Sequence, residues 1–228
     1  GKPGGVTVRE VVGKTDYIPR TGLAPCGSRY SEAQIRFFVM AQADGHYKDD
    51  VWKFSFTKSR KEARCRALLK WLGLEFNYNY YPNDSSGKTR FVFTIHGSLN
   101  PRDAKWLAAM GPRKEFPWEL LYADHDAFFE ELKEWDGYQC GPRSIQYATT
   151  NKHNADFVQA KAHMALRQCS VTIKHRTGEA LARGWADAYY CNVWLSGDPA
   201  SARSAKKTEK QTRYAGDVFC PTTPTGFF

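Results

Sequence analysis

"RFFVMAQADGHYK", residues 36 to 48, is an apolar run at helical spacing that stops on Asp44-Gly45 and passes directly into His46, Tyr47 and Lys48. Glycine just past the last helical residue commonly ends a helix in the left-handed conformation, and on that reading Asp44 is an ordinary solvated turn residue. A search for internal repeats changes the weight of the pattern. "FFEELKEWDGYQ", residues 128 to 139, repeats it, and setting Asp44 on Asp136 gives an offset of 136 − 44 = 92. The same offset, without a gap, pairs Phe37 with Phe129, Gly45 with Gly137, Thr57 with Thr149 and Ala63 with Ala155.

The order of elements around the two copies agrees. In "VWKFSFTK" (51 to 58) aromatics and valine alternate with Lys and Ser at period two, which predicts a strand with one wet face. "SRKEARCRALLKWLG" (59 to 73) predicts a helix from a serine cap to Gly73, and "EFNYNYYPNDSSGKTRFVFTIHG" (75 to 97) predicts two strands around a polar turn. In the second copy "SIQYATT" (144 to 150) takes the strand place and "NKHNADFVQAKAHMALRQ" (151 to 168) the helix place behind an asparagine cap. Two more strand-like runs, "SVTIKHR" and "AYYCNVWLS", follow around the insert "TGEALARGWAD". A short helix and a Gly-Pro break are expected between the copies.

The chain has 228 residues, 42% of them hydrophobic, enough for a sizeable core, and no apolar run nears the roughly 18 residues of a membrane span. A soluble globular chain is expected. Lysine and arginine number 33 against 24 acidic residues, a net charge of +9, which favours a polyanionic partner such as nucleic acid. Cys26, Cys65, Cys140, Cys169, Cys191 and Cys220 stand singly with no CxxC pair, which argues against a zinc ribbon or a disulfide framework and for reduced intracellular thiols. Gly1 in place of Met suggests an excised domain.

Two apolar helices each ending in Asp-Gly, each followed by strands and a further helix, resemble the LAGLIDADG homing endonucleases in their single-chain, two-motif form, over roughly residues 31 to 197. The matching residues are "ADG" at 43 to 45, "DG" at 136 to 137, and Thr57-Lys58 and Thr149-Thr150 ahead of each second helix. The resemblance implies an α+β fold of two pseudo-symmetric αββαββα-like halves, 31–115 and 116–200, forming a DNA-binding saddle with the motif helices on the central axis. It implies a monomer that cuts double-stranded DNA at a long recognition site, with Mg2+ or Mn2+ held at Asp44 and Asp136 beside Gly45 and Gly137. Carboxylates at helix C-termini suit a hard cation, because the helix dipole is negative there. Lys58, with Thr150 as its counterpart, and His96 take the family's accessory catalytic positions. Polar residues on the wet strand faces would meet DNA: Lys48, Lys53, Ser55, Lys88, Arg90, Arg143, Gln146, Lys174 and Arg176.

The flanks 1–30 and 201–228 bear a second resemblance. "VTVREVVGKTDYIPRTG" (6 to 22) and "GDVFCPTTPTGFF" (216 to 228) look like splicing-domain strands of phage or bacterial inteins, implying an intein's endonuclease domain in the bacterial or phage-infected cytoplasm. One departure stands out: the family favours small residues where the motif helices touch, but here Val39 falls against Glu131, with Lys133, Glu134 and Trp135 close by. Tight apposition at that height is therefore not expected: either the axis packs at another height, through Ala41 and Ala43, or the second site has drifted. The poor second motif also implies an alternative function, a relative that binds DNA without cutting it.

Overall fold

The computed structural model describes residues 17–19, 27, 29–83, 87–100, 102–195 and 201–203. Strand β1 (Tyr17–Pro19) pairs antiparallel with β10 (Ser201–Arg203), a unit separate from the body at 21–200. Most of the intein-like flanks lie outside the described residues.

In the body, Ser31 starts helix α1 (Glu32–Asp44) with a capping box: its hydroxyl accepts from the Gln34 amide, and the Gln34 side chain accepts from the Ser31 amide. Strands β2 (Gly45–Lys48) and β3 (Val51–Phe56) form a hairpin, helix α2 (Ser59–Trp71) follows, and β4 (Asn77–Tyr81) and β5 (Arg90–His96) complete the first sheet. The second half repeats this as α3 (His125–Glu134), β6 (Gly137–Gly141), β7 (Ser144–Thr149), α4 (Lys152–Met164), β8 (Cys169–Lys174) and β9 (Ala188–Trp194). Both sheets are antiparallel with the same strand order, β2-β3-β5-β4 and β6-β7-β9-β8. The fold is α+β in two pseudo-symmetric halves. The insert before β9 carries one extra short helix, α5 (Gly178–Ala182), and the connection between the halves holds three 3-10 helices among the described residues, Gly97–Leu99, Arg102–Ala108 and Trp118–Tyr122.

The gap-free offset does not hold beyond the first hairpin. The register of β6 against β7 shifts between Gln139 and Gly141, so the second hairpin contains one more residue than the first. From there the offset is 144 − 51 = 93 for the strands and 152 − 59 = 93 for the helices. Thr57 therefore corresponds to Thr150 rather than Thr149, Ala63 to Asp156 rather than Ala155, and Lys58 to Asn151 rather than Thr150. Each of that last pair is the N-cap of its helix, and only Asn151 caps with its side chain, accepting from the His153 amide.

Aromatic side chains fill the core. Trp52, Phe54 and Phe56 alternate inward along β3 while Lys53 and Ser55 face out, as period-two patterning requires. Phe37 of α1 packs edge-on against Trp52, Phe54 and Trp106, and Phe116, Phe128 and Phe157 cluster likewise in the second half. Gly73 ends α2 in the left-handed conformation (φ +65°), as the sequence predicts.

The motif helices are in contact, α1 packing directly on α3, despite the large and charged residues at the Val39 and Glu131 height. Glu131 is only 1% exposed, and its carboxylate is fully engaged. Arg64 of α2 reaches it with Nε at 2.8 Å and Nη2 at 2.5 Å, Arg36 of α1 at 3.1 Å, and the Trp135 indole N–H at 2.6 Å. Arg36 also pairs with Glu32 and Glu130. A charged bracket thus stands where small residues were expected. Deleting one member of a buried ion network strands the others, so Glu131→Ala should cost about 3–5 kcal/mol in urea unfolding. A cost below about 1 kcal/mol would show that the bracket does not hold the helices together.

Candidate active site at the helix ends

Each motif helix delivers an aspartate where its chain turns into a strand. Asp44 is the last residue of α1, and Asp136 lies between the end of α3 and β6. The glycine after each is needed for space and not for a left-handed turn: Gly45 is extended, with φ −79° and ψ 153°. A Cβ on Gly45 would stand 2.5 Å from the Ala41 carbonyl oxygen and 2.7 Å from the Trp52 ring, and one on Gly137 would stand 2.5 Å from the Leu132 carbonyl oxygen. Any side chain here would push the strand off the helix end and displace the aspartate beside it. The Gly45 amide donates to the Ala41 carbonyl, which keeps that turn closed.

The two carboxylates share one electrostatic environment. Burial raises the Asp136 carboxyl above the usual aspartate range, the negative charge of Asp44 raises it further, and Lys61 and Lys114 act in the opposite direction. Burial in turn lowers the Lys114 ammonium, against the pull of Asp136 and Asp44. Lys61, in the first turn of α2, forms an ion pair with Asp44; both are largely buried, at 13% and 26% side-chain exposure. The Lys61 ammonium also lies 5.5 Å from the centre of the Trp135 ring. Two carboxylates and two ammonium groups therefore act on one another near the ends of α1 and α3, with Lys61 and Asp44 in direct contact.

Neither lysine was singled out from the sequence. Lys61 is one of several cations in "SRKEARCR", and helical phase alone does not mark it as the one that folds back on Asp44. Lys114 lies in the connection between the copies, where a repeat comparison has nothing to align. Its backbone is left-handed (φ +53°) and is held by Asn154 of α4, whose side chain donates to the Lys114 carbonyl at 3.1 Å and accepts from the Phe116 amide at 2.9 Å. Asn154 occupies the position equivalent to Lys61 (61 + 93 = 154), so one half supplies a cation where the other supplies a clamp for the opposing cation.

The remaining expected residues fall elsewhere. Lys58 is exposed at the N-cap of α2, where its carbonyl accepts from the Lys61 and Glu62 amides. His96 pairs with Val51, whereas Gly45 pairs with Phe54, three residues or about 10 Å farther along β3. Thus His96 lies toward the hairpin turn, away from the aspartates. Lys53, Ser55 and Arg90 share the outward face of the first sheet, with Lys48 at its hairpin end and Lys88 exposed just before β5. Gln146 and Lys174 face outward from the second sheet, Arg143 sits in its hairpin turn, and the Arg176 amide is anchored on Asp187 at 2.8 Å.

The donor set fits a hard divalent cation in one respect: two carboxylates repel each other across a partly buried space, and a cation between them would relieve that repulsion. Among the described residues no third Asp, Glu, His or Cys joins them in a metal-binding group, so the other ligand positions would fall to water or a substrate oxygen.

No family model matches the sequence, and a comparison with curated proteins finds no match. Among solved structures the chain is similar to mesophilic variants of the homing endonuclease I-DmoI, with 12% identity, a TM-score of 0.46 and coverage of 72% of this chain and 89% of that one. It is similar to the N-terminal LAGLIDADG domain of DUF199/WhiA, with 13% identity, a TM-score of 0.44 and coverage of 76% and 78%. It is also similar to I-DmoI in complex with DNA and Mn, with 15% identity, a TM-score of 0.43 and coverage of 72% and 92%.

Because the folded chain raises Asp136, its protonated form is favoured by folding. That contribution is present below the unfolded aspartate pKa and is lost as pH rises through the raised one. Near neutral pH an ionised Asp136 is a net burden, so Asp136→Asn should stabilise the fold by about 0.5–2 kcal/mol, the usual yield when such a burden is removed. Asp44→Asn should instead lose up to about 1 kcal/mol with its lysine pair. Urea midpoints of the two variants shifting in the same direction would contradict this division.

Proposed function

We propose that this chain is a site-specific endonuclease that hydrolyses phosphodiester bonds in double-stranded DNA with a divalent cation at Asp44 and Asp136. The observation that carries the reading is the convergence of two pseudo-equivalent carboxylates with Lys61 and Lys114 at the ends of paired helices, in a chain of net charge +9. Hydrolysing DNA places a hydroxide equivalent and a negatively charged phosphate at one point, which calls for anionic oxygens to hold a cation and for ammonium groups to hold the phosphate. A bound Mg2+ or Mn2+ would supply Lewis-acid chemistry, lowering the pKa of water and offsetting charge on the leaving oxygen.

The residues divide the remaining work. Asp44 and Asp136 would supply the cation's protein oxygens. Lys114, partly dehydrated and held at its backbone by Asn154, would supply positive charge to a phosphate bound near the two aspartates. Lys61 balances Asp44 before substrate arrives. The outward sheet faces carry Lys53, Ser55 and Arg90 on one side and Gln146 and Lys174 on the other, for backbone and groove contacts with duplex DNA. An intein origin, a long recognition site and a monomeric working state complete the reading; they rest on the sequence resemblance.

A second reading, DNA binding without cleavage, is favoured by the Lys61–Asp44 ion pair, which already satisfies one of the two carboxylates. The two readings separate in one assay: supercoiled plasmid carrying a selected site, incubated with magnesium and resolved into nicked and linear forms, with binding measured in parallel. Asp44→Asn and Asp136→Asn should each lower cleavage at least a hundredfold while changing affinity little, because binding rests on many remote phosphate contacts. Lys114→Met should lower cleavage by about tenfold or more. Wild-type protein that binds the site but never cuts it supports the second reading, and full cleavage in excess chelator removes the metal assignment. Affinity should also fall steeply with salt, as counterion release demands; a flat salt dependence would oppose DNA binding through these faces.

A further inference from the structure

The strand registers place one matched row of side chains across each sheet. In the first sheet the row runs His46, Lys53, Thr94, Asn77, because Lys53 pairs with His46 and Thr94, and Thr94 with Asn77. In the second it runs Tyr138, Gln146, Asn192, Ser170 through the same strand order. Lys53 and Gln146 are related by the offset of the β3 and β7 strands, 146 − 53 = 93, so the two rows occupy equivalent heights. Both lie on the face away from the core, between the buried neighbours Trp52 and Phe54 in one case and Ile145 and Tyr147 in the other.

The rows differ in chemistry. Gln146 Nε2 donates to Asn192 Oδ1 at 2.8 Å across the strands. That bond uses one donor and one acceptor and leaves Gln146 Oε1 as an acceptor beside Asn192 Nδ2 as a donor. Flipping both amides reverses the internal bond and again leaves one donor and one acceptor, so the outward pattern does not depend on how the amides are assigned. In the major groove, adenine presents an acceptor at N7 and a donor at N6, the complement of this pair. Lys53, with three donors and no acceptor, complements guanine, which presents acceptors at N7 and O6.

The geometry points to a recognition site whose two half-sites are unlike at dyad-related positions, guanine under Lys53 in one and adenine under the Gln146–Asn192 pair in the other. This rests on the reading of the sheets as DNA-binding faces and adds which base each row selects. Lys53→Gln with Thr94→Asn would write the second row into the first sheet and turn its preference from guanine to adenine.

The test uses the full chain and a randomised duplex library, with bound DNA recovered in calcium buffer and sequenced, for the wild type, the Lys53→Gln/Thr94→Asn variant and Asn192→Ala. All three changes are on outward strand faces, and thermal melting checks that each variant is folded. The wild type should enrich guanine at one position and adenine at its dyad mate, each discriminated by roughly tenfold or more. The double variant should enrich adenine at both, and Asn192→Ala should relax the adenine position alone. A defined site that neither variant alters at any position overturns the inference while leaving DNA recognition standing. Recovery of no duplex at low salt overturns both.

Discussion

The buried carboxylate of Glu131 is the constraint on which the arrangement rests. A charge at 1% exposure survives only with partners, and here the partners come from three helices: Arg36 of α1, Arg64 of α2 and Trp135 at the end of α3. The same bond set that neutralises the charge fixes the spacing and rotation of α1 against α3. Because Asp44 is the last residue of α1 and Asp136 lies two residues past α3, fixing the helices fixes the two carboxylates relative to each other.

The two halves repeat a topology but not a chemistry. At equivalent positions stand Lys61, paired with Asp44, and Asn154, which braces the backbone of Lys114. The consequence is an unequal pair of carboxylates: Asp44 is satisfied by a lysine, whereas Asp136 is dehydrated, repelled by Asp44 and raised. The same asymmetry recurs on the outer faces, where Lys53 in one sheet answers to an amide pair in the other. A single chain with two motifs can diverge in this way because each half is a separate stretch of sequence, which a symmetric dimer cannot do.

Much of the architecture was legible from residue patterns. Period-two alternation in "VWKFSFTK", the terminal glycine of 59 to 73, and the second Asp-Gly at an offset of 92 located the elements and their repetition; the expected serine cap fails, because Ser59 is the first helical residue and Lys58 the N-cap, with no side-chain bond. The one-residue bulge near Cys140 was not legible, since a bulge leaves composition unchanged while shifting every later equivalence, and it moved the partner of Lys58 from Thr150 to Asn151. The helix contact was misread for a related reason: Glu131 looks unsuited to an interface until Arg36 and Arg64 are known to converge on it. Of the site, the aspartates and glycines were visible as motifs, though space, not handedness, explains the glycines. Lys61 and Lys114 were not visible, because only the folded chain brings a helix residue and a linker residue to the same pair of carboxylates.

The central claim is that Asp44 and Asp136 form one joint cation site, and terbium luminescence sensitised through the neighbouring tryptophans tests it without reference to activity. Trp135, next in sequence to Asp136, makes the site a short-range donor for the ion. The wild-type chain should give a saturable signal that calcium displaces, and Asp44→Asn and Asp136→Asn should each abolish it. A signal that persists unchanged in either variant would show that the two carboxylates do not share an ion.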